Sequence, residues 1–331
     1  MLPEPFQLLP PDAPRPWRNA RRRARRLPAA LATIAILVAA CGTPTTSPSA
    51  SPTGAAASFP PPATTAPSAA ASPAEAAAAV YARIEDQVVA IRGLRPTVKV
   101  DPKVLDDAGI KKYVADSFAK DNPADVLAAN ERALKAFGLL PGDASLSDLY
   151  IKLLGSQVAG LYSPDDKQLY VVSRSGGLGP AEKTTFAHEF NHALQDQNFD
   201  LGALKLDEIG QGDRSFARLA LVEGDATLLM SLWQIQNLSQ AELGQLLVGA
   251  GTDPGTQVLL DMPPVLRESL LFPYTSGLGF VQGIQAGGGW AAVNAAFARP
   301  PASTEQILHP EKYAGGEAPI AVMLPKDLAA R

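Results

Sequence analysis

The stretch from Gly177 to Asp200, GLGPAEKTTFAHEFNHALQDQNFD, contains the pentapeptide HEFNH, which runs from His188 to His192. Two histidines four residues apart lie almost one above the other on a helix, so both imidazoles can reach one metal ion. Glu189 follows the first histidine, and a carboxylate there can lie beside a metal and take a proton from a metal-bound water. The pattern is the HExxH signature of zinc hydrolases, and it predicts a metal centre on this helix.

The residues around HEFNH decide between a metal site and an ordinary polar helix face, which the same spacing allows. The chain contains three histidines, and two of them fall in this pentapeptide. Apolar residues surround them, which predicts a buried helix. A buried histidine pair needs partners for its polar atoms, so the metal interpretation is favoured. The apolar residues are Phe186, Ala187, Phe190, Ala193 and Leu194.

The charge distribution argues against a nucleic-acid-binding surface. The chain has 331 residues, which is enough for one large domain or two small ones. It has 29 Lys and Arg against 33 Asp and Glu; once the seven Arg and two acidic residues of positions 1–41 are set aside, 22 basic and 31 acidic residues remain. The remainder is therefore acidic and carries no basic footprint for phosphates.

The first 41 residues are predicted to be a targeting segment rather than part of the fold. Five arginines between positions 21 and 26 precede an apolar stretch, Leu27 to Ala40, that is short for a membrane-spanning helix. Cys41 follows small residues and is the only cysteine, an arrangement that resembles a bacterial lipoprotein signal. We therefore expect an exported protein without an intrachain disulfide, anchored to the membrane of the cell envelope through lipidated Cys41. The alternative is an uncleaved signal anchor with an incidental cysteine.

The remaining chain divides into three predicted parts. Residues 42–74 consist almost entirely of Ala, Ser, Thr, Pro and Gly and predict a disordered tether. Residues 75–155 predict an N-terminal helical region, and residues 156–331 a catalytic region. Helices are predicted at Ala74–Ile91, Lys103–Ala119, Pro123–Phe137, Ser145–Leu154 and Asp261–Leu271, with an extended piece at Thr97–Val100. A break at Phe272–Tyr274 leads into another predicted helix that runs to about Gly283. Gly287–Gly289 breaks the chain again, and Trp290–Phe297 is predicted as a further short helix.

Two β-prone runs, Gln157–Tyr162 and Gln168–Ser173, stand just before the HEFNH helix. The turn-forming segment Ser163–Lys167 separates them, so they predict a β-hairpin. Such a strand pair can bind an extended peptide as an additional strand, and the edge near Gln168–Ser173 is the predicted docking place. A hairpin that only covers the core is an equally weighted alternative.

A second long helix is predicted from about Asp213 to Gln236, and Glu223 lies in its apolar middle. A buried acidic group is costly unless it is paired or binds a metal. Glu223 follows His192 by 31 residues, enough for a loop and an antiparallel helix that returns the carboxylate to the histidine pair. Two imidazoles and one carboxylate leave a fourth tetrahedral position for water, the composition of a catalytic zinc site.

For two aspartates near these residues, the sequence allows two roles each. Asp225 is predicted to hydrogen-bond a ligand histidine or a neighbouring helix, because ligand imidazoles usually donate their other N–H to an acceptor. Asp196 lies four residues after His192. It is either an acceptor for the site or part of the solvated helix end, and the second role is slightly favoured.

HEFNHALQD together with the downstream VEGDA resembles the gluzincin metallopeptidases, the class with HExxH and a later glutamate that includes thermolysin-like enzymes. The rest of the chain resembles a group of uncharacterised exported bacterial lipoprotein metallopeptidases that share HALQDQ and the late segment STEQILHPEKY. The resemblance implies an α+β, helix-rich, zincin-like fold with a small antiparallel β-hairpin or sheet beside the HExxH helix. It also implies Zn²⁺ held by His188, His192 and Glu223, with Glu189 activating water. The separation of HExxH from Glu223 differs from that in thermolysin-like enzymes, so their substrate preference does not transfer.

The expected function is hydrolysis of protein or peptide substrates by an exported, membrane-tethered zinc metallopeptidase. Its oxyanion would need a hydrogen-bond donor, which His309, the third histidine, or Tyr274 is predicted to supply. Two alternatives stay open: a catalytically silent lipoprotein that keeps the zincin scaffold as a binding or envelope-assembly module, and a hydrolase of a cell-wall amide. Glu189 argues against the silent scaffold, because a structural metal has no use for an activating carboxylate. The sequence does not fix the oligomeric state.

Overall fold

The computed structural model describes residues 73–157, 160–172, 178–208 and 210–322. The predicted signal segment, including Cys41, and all but the last two residues of the predicted tether lie outside these ranges. Within them, no helix combines the length and the apolar character needed to cross a bilayer.

The described residues form a helix-rich structure with one small sheet, which confirms the predicted α+β class. The zincin-like fold, and the division at residue 155, stay predictions. The helices are α1 Pro73–Arg92, α2 Asp107–Asp121, α3 Ala124–Ala136, α4 Leu146–Gln157, α5 Pro180–Phe199, α6 Gly212–Asn237, α7 Gln240–Thr252, α8 Pro254–Leu260, α9 Pro264–Ala298, α10 Thr304–Leu308 and α11 Pro310–Gly315. The strands are β1 Lys103–Leu105, β2 Gly160–Ser163 and β3 Gln168–Val172.

The three strands form one mixed sheet in the order β1-β3-β2. Strands β2 and β3 pair antiparallel, with Leu161 opposite Tyr170, as the predicted hairpin requires. Strand β1 adds in parallel to the other side of β3, with Val104 opposite Val171. Strand β3 is therefore central, and both of its edges are already paired.

The predicted helix from Lys103 is wrong at its start. Lys103–Leu105 is strand β1, and α2 begins only at Asp107. The Asp106 carboxylate caps α2 by accepting a hydrogen bond from the Gly109 amide at 2.7 Å. The short strand of this region thus lies after the predicted extended piece at Thr97–Val100. Its partner β3 is distant in sequence, so local propensity does not reveal the pairing.

Helix α5, which carries HEFNH, is the central helix of the described fold. Pro180 lies in its first turn, where a missing backbone N–H costs nothing, and the helix ends at Phe199, before Asp200, which adopts a left-handed conformation with φ 55°. Every residue from Thr184 to Asp196 is buried. The helices α1, α6 and α7 and strands β2 and β3 surround it. Its polar residues are therefore enclosed by protein rather than solvated.

Helix α9 differs from the helices predicted for this stretch at one point. The predicted break at Pro273 is wrong, because the helix continues through this residue. Proline removes one helical hydrogen bond, and the extensive packing of α9 on α6 outweighs that loss. The predicted break at the glycine triplet is confirmed, since Gly288 and Gly289 have non-helical dihedral angles and Gly289 has φ 64°.

Helices α6 and α9 cross so closely that two glycines are required at the contact. A Cβ atom at Gly224 would collide with the carbonyl group of Gly277, and a Cβ atom at Gly277 would collide with the carbonyl oxygen of Ala220. Packed backbones leave little room for adjustment. The crossing therefore fixes Glu223, the chain neighbour of Gly224, through a backbone contact.

Candidate metal centre

The structure brings His188, His192 and Glu223 into one buried cluster, as the sequence predicts. His188 Nε2 lies 3.3 Å and His192 Nε2 lies 3.4 Å from Glu223 Oε2. The two Nε2 atoms are 3.0 Å apart. All three residues are at most 2 % exposed. Helix α5 supplies both imidazoles from successive turns, and helix α6, which packs on α5, supplies the carboxylate.

The donor set and its spacing suit a metal ion. Two imidazole nitrogens and one carboxylate oxygen are the ligand types of catalytic zinc sites, and bonds of about 2.0–2.1 Å at tetrahedral angles would place the ligand atoms about 3.3 Å apart. The 3.3 and 3.4 Å separations match this spacing, and the 3.0 Å separation is slightly shorter. The described residues could therefore hold a metal ion here.

The electrostatics of the cluster also favour a cation. Burial raises the pKa of the Glu223 carboxyl, but the charge of His192 and hydrogen bonds from both histidines outweigh this effect and hold the pKa below its ordinary value. Burial likewise lowers the pKa of His192, and the attraction of Glu223 outweighs it and holds the pKa above its ordinary value. Both shifts show that the Glu223 carboxylate favours a positive charge beside it.

Glu189 lies beside the cluster but is not part of it. Its side chain is completely buried, and Glu189 Oε2 accepts a hydrogen bond from the backbone amide of Tyr162 at 2.8 Å. Strand β2 comes this close because Gly160 has no side chain: a Cβ atom there would lie 3.0 Å from Thr185 Cγ2 and 3.6 Å from Glu189 Cγ. The strand thus fixes the carboxylate that the sequence predicts as a base.

A buried chain of hydrogen bonds continues from His192 away from the cluster. His192 Nδ1 lies 2.8 Å from Gln195 Oε1, and Gln195 Nε2 donates to Asp225 Oδ2 at 2.8 Å. Asp225 accepts a bidentate pair from Arg92 of α1, from Nε at 2.8 Å and from Nη2 at 3.2 Å. Of the two predicted roles of Asp225, the structure shows the contact with neighbouring helices, because Gln195 stands between it and the histidine.

Asp196 stabilises the hairpin rather than the cluster. Its Oδ2 atom accepts hydrogen bonds from the Tyr162 hydroxyl at 2.7 Å and from Lys167 Nζ at 2.6 Å. It is 5 % exposed, so the slightly favoured prediction of a solvated helix end is wrong. Burial and the neighbouring Asp196 carboxylate both raise the pKa of Tyr162, which keeps the hydroxyl protonated as a donor.

The two predicted oxyanion donors lie in different surroundings. Tyr274 of α9 is buried, and its ring centroid is 6.4 Å from that of His188. His309 lies between α10 and α11 with its side chain 50 % exposed, and its Nδ1 atom is 3.5 Å from Glu311 Oε1. The structure therefore brings Tyr274 next to the metal cluster and places His309 on the surface.

The predicted peptide-docking edge near Gln168–Ser173 is wrong for the part that the structure describes. Residues Gln168–Val172 form β3, whose edges are taken by β1 and β2. The pattern of the hairpin did not reveal this because β1 is contributed from far upstream. Strand β2 turns its outer side toward α5, where the Tyr162 amide binds Glu189.

Sequence reasoning did not find Gln195 and Arg92. A signal for Gln195 exists, because residues three apart share a helix face and Gln195 follows His192 by three. Arg92 is 133 positions from Asp225, and no local pattern connects them.

No protein family, curated protein or solved structure matches this chain. The likeness to gluzincins therefore depends on the quoted motif residues and on the His188, His192 and Glu223 cluster.

Proposed function

We propose that the protein is a zinc-dependent metallopeptidase, exported and held at the membrane by lipidated Cys41. The observation that carries the proposal is the buried His188, His192 and Glu223 cluster with the Glu189 carboxylate fixed beside it. A structural metal site needs ligands alone. The additional carboxylate, held by the Tyr162 amide, is the feature that distinguishes a hydrolytic centre.

Different residues would have different roles in peptide-bond hydrolysis. Zn²⁺ held by His188, His192 and Glu223 would polarise the scissile carbonyl and lower the pKa of water toward neutrality. Glu189 takes a proton from the attacking water and passes it to the leaving amine. Tyr274, which lies beside His188, is the better placed of the two predicted donors for the oxyanion.

The substitution Glu189→Gln tests the proposal. It removes the proton acceptor but none of the three ligands, so we expect unchanged zinc content and a loss of about 10²–10⁴-fold in kcat. The measurement pairs metal analysis of the purified full-length protein with cleavage of a denatured protein substrate. Glu182→Gln is the matched control, because this glutamate lies in the first turn of the same helix, and it should retain wild-type activity.

Four results would overturn the proposal. Wild-type protein without stoichiometric zinc would exclude the metal centre, and full activity of Glu189→Gln would exclude the assigned base. Zinc binding without hydrolysis of any protein would favour the envelope-assembly module. Release of muropeptides in a digestion run beside the protein cleavage assay would assign the same centre to a cell-wall amide.

A further inference from the structure

The orientation of the Gln195 side-chain amide is determined by its neighbours. Gln195 Nε2 lies 2.9 Å from the carbonyl oxygen of Val222 and 2.8 Å from Asp225 Oδ2. A carbonyl and a carboxylate can only accept hydrogen bonds, so the –NH₂ group of the amide must face them. The amide oxygen then faces His192 Nδ1, at 2.8 Å.

This orientation fixes the protonation of His192. An amide oxygen only accepts, so Nδ1 of His192 must carry a hydrogen. In the neutral imidazole Nε2 then has the free lone pair, and it is Nε2 that lies 3.4 Å from Glu223 Oε2 within the cluster. The hydrogen bond on one ring nitrogen thus selects the other for a metal.

Asp225 is held in place by a group that balances its charge. Arg92 binds both of its oxygens, and both side chains are completely buried. Arg92 Nη1 also donates to Asn294 Oδ1 at 2.8 Å, and the guanidinium lies 4.5 Å above the Trp290 ring. A carboxylate with these contacts has one fixed position, because planar bidentate pairing with arginine leaves little rotational freedom.

His188 has no comparable support. Its Nδ1 atom is buried and finds no hydrogen-bond partner among the described residues. The protein therefore orients its two imidazoles unequally, and the second histidine carries the rigid connection to the rest of the fold.

We infer that Gln195, Asp225 and Arg92 are positioning residues that hold His192 with its hydrogen on Nδ1 and Nε2 toward the metal. The inference rests on the metal centre proposed above. A neutral amide as the direct acceptor orients His192 without adding the basicity that a direct carboxylate contact would give.

The substitution Gln195→Leu removes the acceptor while keeping a side chain of similar size. Loss of an outer hydrogen-bond partner typically weakens metal binding 10- to 100-fold, so we expect the affinity for Zn²⁺ to fall by about that factor. Affinity is measured on the full-length protein by competition with a chromophoric chelator. Gln197→Leu is the control on the same helix, because its amide binds the Thr97 and Val98 backbone instead, and it should bind Zn²⁺ like the wild type.

Nuclear magnetic resonance of the zinc-loaded wild type gives a readout that does not depend on any variant folding. Labelling histidine with ¹⁵N yields signals from only three residues. We expect one ring with a hydrogen-bonded Nδ1–H and a metal-bound Nε2, and we expect its Nδ1–H to exchange faster with water in Gln195→Leu.

The outcomes separate the inference from the function it rests on. A wild type that binds no Zn²⁺ overturns both. Two results would overturn only the positioning role. One is that Gln195→Leu binds Zn²⁺ as tightly as the wild type does. The other is a spectrum in which His192 binds the metal through Nδ1.

Discussion

At the scale of single residues, the Glu242 carboxylate connects helix α5 to helix α7. It completes a capping box with Ser239, whose backbone amide donates to Glu242 Oε2 at 2.9 Å, and Lys183 of α5 donates to Oε1 at 2.9 Å. The amide and hydroxyl of Ser239 and the Lys183 ammonium lower the pKa of Glu242 from 4.5 to about 2. The charged carboxylate is therefore the form that the folded protein stabilises.

This pKa predicts how acid affects stability. Because the folded pKa of about 2 lies below 4.5, the unfolded chain takes up the proton first as the pH falls. The stabilisation by Glu242 is complete above pH 4.5 and is lost progressively toward pH 2. In Glu242→Gln, the free energy of unfolding should decline less between these limits than in the wild type, as measured by urea denaturation. The same substitution at exposed Glu268 is the control, and equal acid slopes in both variants would contradict the prediction.

The three residues of the His188, His192 and Glu223 cluster could be predicted because each has a local signal in the sequence. His188 and His192 have helical spacing, and Glu223 is an acid in an apolar helix, which demands a partner. Arg92 lacks such a signal, since its burial depends on a contact with Asp225 from another helix. Asp196 misled the prediction because a carboxylate near a helix end is usually solvated, and only the hairpin that folds over it reveals otherwise.

At the scale of elements, the crossing of α6 and α9 predicts opposite effects for two kinds of glycine substitution. Gly224→Ala or Gly277→Ala would place a methyl group against the facing backbone, so we expect a loss of about 3 kcal/mol or more of unfolding free energy. Gly279→Ala lies on α9 with no atom within 4 Å of the added carbon, and it should stabilise the helix by about 0.5–1 kcal/mol. Urea denaturation midpoints measure both changes. A Gly277→Ala protein as stable as Gly279→Ala would show that the two helices are not in backbone contact.

Most helices could be predicted from capping residues, prolines and the spacing of apolar residues. Strand β1 and the continuation of α9 through Pro273 could not. A three-residue strand has almost no pattern of its own and depends on its pairing with β3. Pro273 is a reliable break in an isolated helix but not in one packed along its length on α6.

At the scale of the whole molecule, a bound metal would connect α5 to α6 and stabilise the fold by mass action. With free Zn²⁺ at about 100 times its dissociation constant, the gain is about 2.7 kcal/mol, which corresponds to roughly 5–10 °C in Tm. We expect a chelator to lower the Tm of the wild type by this amount in differential scanning calorimetry. Glu223→Gln, which removes a ligand from the cluster, should show little response to the chelator. An equal response from both proteins would place the metal elsewhere.

The buried contacts of Arg92 impose an order on how the protein is made. Arg92 must find Asp225, which is 133 positions away, and Asn294, which is 202 positions away. The ribosome synthesises the chain from the N-terminus to the C-terminus. In a nascent chain that does not yet reach Asn294, Arg92 therefore lacks one of its hydrogen-bond partners. The complete set of hydrogen bonds around Arg92, which also holds Asp225, can therefore form only after the growing chain has extended past Asn294.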